Sequence, residues 1–144
     1  MKIIIINGPN LNLVGIREKS IYGDKSLNEY ISDLKKKYST VQLDDFQSNV
    51  EGELINKLHE VGFSYDGIIV NLAGYTHTSI ALADAIAAIN THVVEVHISN
   101  IHAREEVRHK SFTAAKAKGC LTGFGLAGYE MALNFLLGNY NNNQ

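Results

Sequence analysis

Two short runs of almost unbroken apolar residues constrain this chain more than any other feature of its sequence. Lys2 to Asn7 reads K-I-I-I-I-N, and Gly67 to Asn71 reads G-I-I-V-N. A strand with one wet face alternates apolar and polar residues. These runs do not alternate, so both of their faces are expected to be buried. β-Branched side chains favour extended backbone, and Gly8 with Pro9 stops the first run. A strand covered on both sides needs helices above and below its sheet. Val41 to Gln47, Val93 to Ser99 and Cys120 to Phe124 bring the candidate strands to five.

Helical stretches lie between them. Ser26 is followed three residues later by Glu29, and Ser48 by Glu51, and each pair reads as a capping box. The first helix is expected from Leu27 to Tyr38, with Leu27, Tyr30, Ile31 and Leu34 on one face. The second is expected from Asn49 to Val61, with Val50, Leu54, Ile55 and Leu58 inward and Gly62 as its stop. The third, Ser79 to Ile89, is alanine-rich and apolar on most sides, as a helix buried against a second subunit would be. Glu105 to Lys118 and Ala127 to Leu137 complete the set. Five strands alternating with five helices predict an α/β fold. It is a doubly wound, flavodoxin-like sheet of five parallel strands in the order 2-1-3-4-5, with helices on both faces. A chain of 144 residues is expected to form one catalytic-size domain, 1–144, with a polar tail from 139 to 144 that frays.

Composition removes several function classes. A net charge of -2 offers no basic excess to nucleic acid or an anionic membrane. One cysteine excludes an internal disulfide framework and a multi-cysteine zinc site. The apolar runs fall far short of a membrane span, and the first is too brief for a secretory signal, so the expected location is cytoplasmic.

Ligands of open parallel sheets bind at the carboxyl ends of the strands. Those ends carry Asn7, Gln47, Asn71, His97 with Ser99, and Gly123 to Gly125. In V-V-E-V-H-I-S, alternation places Glu95, His97 and Ser99 on one strand face. A carboxylate beside an imidazole can orient it and favour its charged form, although a satisfied core pair would read the same way. Gly8 to Lys25 separates the first strand from its helix by 18 residues, where such connections usually take about 2–6. This loop carries Asn10, Arg17 and Tyr22. A guanidinium near a tyrosine favours phenolate, but a surface arginine and a packing tyrosine fit the same letters. After the third strand, N-L-A-G-Y-T-H-T-S offers Asn71 and His77 to hydroxyls or a carboxylate. Ala73 and Gly74 there allow close backbone approach, and Thr78 or Ser79 can cap the next helix. It can equally be a well-capped turn and nothing more. G-F-G-L-A-G at Gly123 to Gly128 matches a dinucleotide fingerprint, yet only 16 residues follow it, too few for the rest of such a site. It reads as a tight strand-to-helix turn. His97, His102 and His109 lack paired metal-ligand spacing, so no metal is expected.

Taken together, the motifs resemble those of type II 3-dehydroquinate dehydratases. They are N-G-P-N-L-N-L at Asn7 to Leu13, R-E-x-x-x-Y-G at Arg17 to Gly23 and F-Q-S-N-x-E-G at Phe46 to Gly52. Next come N-x-x-x-Y-T-H-T-S at Asn71 to Ser79, E-V-H-I-S-N-I-H-A-R-E-x-x-R-H-K-S at Glu95 to Ser111 and G-x-G-x-x-G-Y at Gly123 to Tyr129. The resemblance spans nearly the whole chain. It implies a flavodoxin-like lyase without cofactor or metal that dehydrates 3-dehydroquinate through an enolate in the shikimate route to aromatic amino acids. It also implies a homo-oligomer, a dodecamer of four trimers. By resemblance Tyr22 is the general base with Arg17 beside it, His97 the general acid, and Asn10 the residue that positions a water. Asn71, His77, Ile98 through its backbone, Ser99 and Arg108 hold the substrate, and Asp84 reaches it from a neighbouring subunit. Two departures stand out. Lys19 replaces a common proline, and Leu72 and Ala73 replace a common Pro-Gly, the second putting a methyl group near the site. A flavin- or phosphate-binding flavodoxin-like module is the competing reading; it explains the sheet but not the Arg17/Tyr22 loop or the Glu95/His97/Ser99 face.

Overall fold

A computed structural model describes residues 1–16 and 24–139. Its five strands are β1 Lys2–Asn7, β2 Gln42–Gln47, β3 Gly67–Asn71, β4 Val93–His97 and β5 Gly119–Thr122. They form one sheet in the order β2-β1-β3-β4-β5, with every neighbouring pair parallel. The expected order is therefore the observed one. Both all-apolar runs lie inside the sheet, where neither face meets water.

Alternation along these strands builds two separate cores. Ile3, Ile5, Ile69, Val94 and Val96 pack on one face with Leu27, Ile31 and Leu34 of α1 (Leu27–Lys37). Tyr129, Ala132 and Leu133 of α4 (Ala127–Leu136) complete that layer. Ile4, Ile6, Ile68 and Val70 face the other way, onto α2 (Glu51–Val61) and α3 (Ile80–Ala88). Consecutive isoleucines thus serve opposite layers, which is why the run cannot alternate.

The first capping box is present: Ser26 Oγ accepts from the Glu29 amide at 3.1 Å, and Glu29 accepts from the Ser26 amide at 3.0 Å. Ser79 caps α3 by accepting from the Leu82 amide at 2.9 Å. The second expected box does not form. Val50, not Ser48, precedes the first turn of α2, and its side chain is exposed rather than inward. Ser48 instead accepts from the Val50 amide and donates to Glu53, holding the turn before the helix.

The helix expected over Glu105 to Lys118 is replaced by short 3-10 turns at Glu106–Arg108 and Ala114–Lys116. The reason is local competition for backbone groups. The Phe112 amide donates to the Thr76 carbonyl at 2.9 Å, and the Lys110 carbonyl accepts from His77 Nδ1 at 2.7 Å. A helix would consume both groups itself. Ser111 adds to this by capping Ala114, the role in which serine opposes helix continuation. The described chain therefore has four α-helices, not five. Among the described residues no helix is long and apolar enough to cross a membrane.

Candidate active site

The carboxyl ends of β1, β3 and β4 open into a cavity of about 150 Å³. Its wall contains Asn10, Asn71, His77, His97, Ile98, Ser99 and Arg108, seven of the residues singled out from sequence. Arg17 and Tyr22 lie outside the described residues, so their placement relative to this wall is not described. Asp84 is elsewhere: it sits on the exposed side of α3, away from this cavity.

Asn71 and His97 end β3 and β4, while Asn10, His77 and Arg108 stand at or in short 3-10 turns beyond the strand ends. Asn7 and Asn71 are register partners on β1 and β3, and both are buried. The Tyr129 hydroxyl, fully buried on α4, donates to Asn7 Oδ1 at 2.7 Å and accepts from Asn71 Nδ2 at 2.9 Å. Asn71 Oδ1 accepts from the Ala73 amide at 3.2 Å, so both ends of its amide are oriented. Gly8 makes a close backbone approach to the end of β3. A β-carbon there would meet the Leu72 carbonyl oxygen at 2.7 Å. The expected close approach at Gly74 is not seen, since a β-carbon there meets nothing within 4 Å.

Glu95 and His97 project from β4 on the same face, as alternation predicts. Glu95 is 0% exposed and His97 5%. His97 Nε2 lies 3.0 Å from Glu95 Oε1. The same oxygen accepts from Thr76 at 3.0 Å and Thr113 at 2.7 Å, and Ser111 reaches both carboxylate oxygens at 3.3–3.4 Å. Burial alone pushes the Glu95 carboxyl upward. The His97 hydrogen bond and charge, with the Thr113 and Thr76 hydroxyls, outweigh that and hold it below the usual carboxylate range. An ionised carboxylate accepts only, so His97 Nε2 carries the proton between them, and Nδ1 is left for the cavity.

His77 is set the opposite way. Its ring lies 6.2 Å from that of His97, centroid to centroid. Burial lowers its pKa, and the His97 and Arg108 charges add to this against the Lys110 carbonyl. Since that carbonyl can only accept, Nδ1 carries the proton and Nε2 is the acceptor nitrogen. The two histidines thus offer different functions: one backed by a carboxylate, the other held neutral. Arg108 is anchored through Nε to Glu105 at 2.9 Å.

Several groups here were not evident from sequence. Arg104 lines the cavity and donates to Ser99 Oγ at 3.4 Å. It stands in the motif from Glu95 to Ser111, four residues before Arg108, but had no role assigned to it there. Thr76, Ser111 and Thr113 reach Glu95 from segments far from it in sequence, so no local pattern announces them. The Gly123 to Gly125 turn is tied to this edge: the Gly123 amide donates to the His97 carbonyl and the Gly125 amide to the Ile98 carbonyl. Both glycines have positive φ, 91° and 60°, in keeping with a tight strand-to-helix turn.

Ala73 also has positive φ, 52°, where a methyl group is strained. Ala73→Gly is therefore expected to raise stability by about 1 kcal/mol, a rise in Tm of roughly 2–4 °C for a chain of this size. Thermal melts check this, and a lowered Tm would show that the alanine is not strained. A second expectation concerns acid. The depressed Glu95 carboxyl contributes stability that is complete above its unfolded value of 4.5 and lost as pH falls through its lower folded value. Below pH 4.5, Tm should therefore fall less steeply for Glu95→Gln than for the wild type. Parallel slopes across that range would contradict the ionised assignment.

A family profile described as Dehydroquinase class II matches residues 1–137. A 3-dehydroquinate dehydratase of Clostridium perfringens is 55% identical over 139 residues, covering 94% of this chain and 95% of that one. One from Helicobacter hepaticus is 52% identical over 140 residues, covering 95% and 89%. Among solved structures, a type II dehydroquinase from Butyrivibrio crossotus superposes with a TM-score of 0.91 at 44% identity, covering 95% of this chain and 97% of that one.

Proposed function

The chain belongs to the class II dehydroquinase family, and on that premise we propose that the cavity at the carboxyl edge of its sheet dehydrates 3-dehydroquinate to 3-dehydroshikimate. The observation that carries this reading is the buried Glu95–His97 pair opening onto the cavity wall. The reaction removes a proton beside a ketone and a hydroxyl from the next carbon. Tyr22, with Arg17, takes the proton, and the electron pair moves to the ketone oxygen as an enolate. Asn10 positions the water that stabilises that oxygen. The enolate then collapses, the carbon–oxygen bond breaks, and the leaving hydroxyl takes a proton from His97 Nδ1 to depart as water. Glu95 holds the imidazole through Nε2 and balances its positive charge.

The remaining wall recognises the substrate. Neutral His77 accepts from a hydroxyl through Nε2, while Asn71 donates through its amide. Ser99 and the Ile98 backbone take the polar groups at the end of β4. Arg108 pairs with the carboxylate. The proposed steps use side chains and one positioned water, and they call on no metal or cofactor. The enzyme serves the shikimate route to aromatic amino acids in the cytoplasm. Addition of 3-dehydroquinate to the purified chain tests the reading, because the conjugated enone of the product absorbs in the ultraviolet. An absorbance rise that scales with enzyme is expected; none at any enzyme concentration would refute the assignment.

Assembly completes the site in this reading. One side of α3 is buried through Leu82, Ala83, Ala85 and Ile86, while the other exposes Ile80, Ala81, Asp84 and Ala87. Asp84 on that second side reaches a neighbour's substrate within a trimer, and four trimers make a dodecamer. Asp84→Ala should lower kcat/KM by about 10–100-fold, the worth of a hydrogen bond to a charged group. Light scattering that finds a fully active monomer would exclude this arrangement.

A further inference from the structure

Glu95, His97 and Cys120 bring a carboxylate, an imidazole and a thiol together, although no spacing in the sequence links them. Cys120, the only cysteine of the chain, is the register partner of Glu95 across β4 and β5. One ligand atom from each of the three lies within 4.8 Å of the other two. His97 Nε2 and Glu95 Oε1 are 3.0 Å apart. In a tetrahedral zinc site, bonds of about 2.0–2.3 Å separate neighbouring donors by about 3.3–3.7 Å. The nitrogen–oxygen gap thus needs to open by a few tenths of an ångström and the thiol to close by about one. Rotation about the Cys120 and Glu95 side chains supplies such movements. Glu95 and His97 are buried while Cys120 is exposed, so the thiol side is the way in.

We propose that these three residues form an inhibitory site for a thiophilic divalent cation, zinc or cadmium, bound by Cys120 Sγ, a Glu95 oxygen and His97 Nε2. Mixed sulfur, nitrogen and oxygen donors suit such ions, whereas magnesium and calcium require oxygen alone. Thr76 and Thr113 already donate to the Glu95 carboxylate, the kind of support that orients a ligating carboxylate. Binding releases two protons, one from the thiol and one from Nε2, and no oxidation state changes. The site would act directly on the reaction. An imidazole bound to a cation through Nε2 must become an imidazolate to surrender its Nδ1 proton, so the acid is disabled. Only this inhibitory consequence rests on the proposed role of His97; the binding itself does not.

The test uses the assembled wild-type protein with cadmium and zinc chloride as probes. Cadmium should produce an ultraviolet thiolate-to-metal charge-transfer band, and zinc should slow modification of the thiol by a disulfide reagent. With one cysteine in the chain, both signals report this site alone. Zinc should also inhibit turnover, and Cys120→Ser should raise the inhibitory concentration by at least about tenfold while leaving metal-free kcat/KM unchanged. Cys120→Ala serves as a second variant should the serine protein fold poorly. Absence of both thiol signals, or equal zinc inhibition of wild type and either variant, would overturn the proposal. A preparation that shows the thiol signals yet never dehydrates 3-dehydroquinate would count against the functional reading and not against this site.

Discussion

His97→Ala is expected to lower kcat by about 10²–10⁴-fold, the usual worth of a positioned general acid. Nδ1 has no substitute in the wall described: His77, the nearest imidazole, is held neutral with its proton committed to the Lys110 carbonyl. Glu95→Gln should cost less, because it keeps shape and hydrogen bonding while dropping the charge that balances the imidazolium. A pair that served only packing would predict otherwise. Removing the imidazole from beside a fully buried carboxylate would then lower Tm, while kcat per folded molecule stayed near the wild-type value. Both variants are expected to lose some stability, since Glu95 and His97 are buried together. Kinetics normalised to folded protein, run beside thermal melts, separate the two readings. A stable, fully active His97→Ala enzyme would eliminate the catalytic one.

Tyr22→Phe should abolish turnover to a similar or greater extent while leaving Tm unchanged. Only the phenolic oxygen is removed, and with it the base proposed to begin the reaction. The residue stands five positions after Arg17 in a connection far longer than strand-to-helix links require. Arg17→Ala should also lose activity by withdrawing the charge that favours phenolate. Near-normal kcat in Tyr22→Phe would remove the tyrosine from the mechanism and require another base.

The burial of β1 on both faces was legible because its signal is local. Ile3 to Ile6 serve two layers in turn, and their uninterrupted apolar character follows from that. Glu95 and His97 were legible for a related reason: a period of two places both on one face whatever surrounds them. The misread segment, 105–118, shows the opposite case. Its alanines and charges favour a helix by propensity, but Lys110, Ser111, Phe112 and Thr113 are committed to the 76–77 segment and to Glu95. Partners distant in sequence decided that segment, and they left no mark within it. Ser48 failed as a cap for a smaller reason, since its hydroxyl is engaged one turn too early by the Val50 amide and Glu53. Cys120 gave no signal at all. Its meeting with Glu95 and His97 depends on the register of β4 against β5.

The departure at Ala73 is now interpretable. The resemblance places a glycine there, and the backbone at that residue adopts the left-handed conformation that glycine tolerates. The methyl group therefore carries a conformational cost in a residue that lines the cavity, without displacing His97 or Asn71 from it. Stability, more than chemistry, is where that substitution should register.

The position of bound substrate decides whether His97 is the acid. A crystal structure of Tyr22→Phe protein with 3-dehydroquinate should hold the intact substrate in the cavity. The departing hydroxyl is expected at about 2.6–3.2 Å from His97 Nδ1, with another hydroxyl donating to His77 Nε2. A substrate bound with its departing hydroxyl turned away from His97, or bound outside this cavity, would contradict that role.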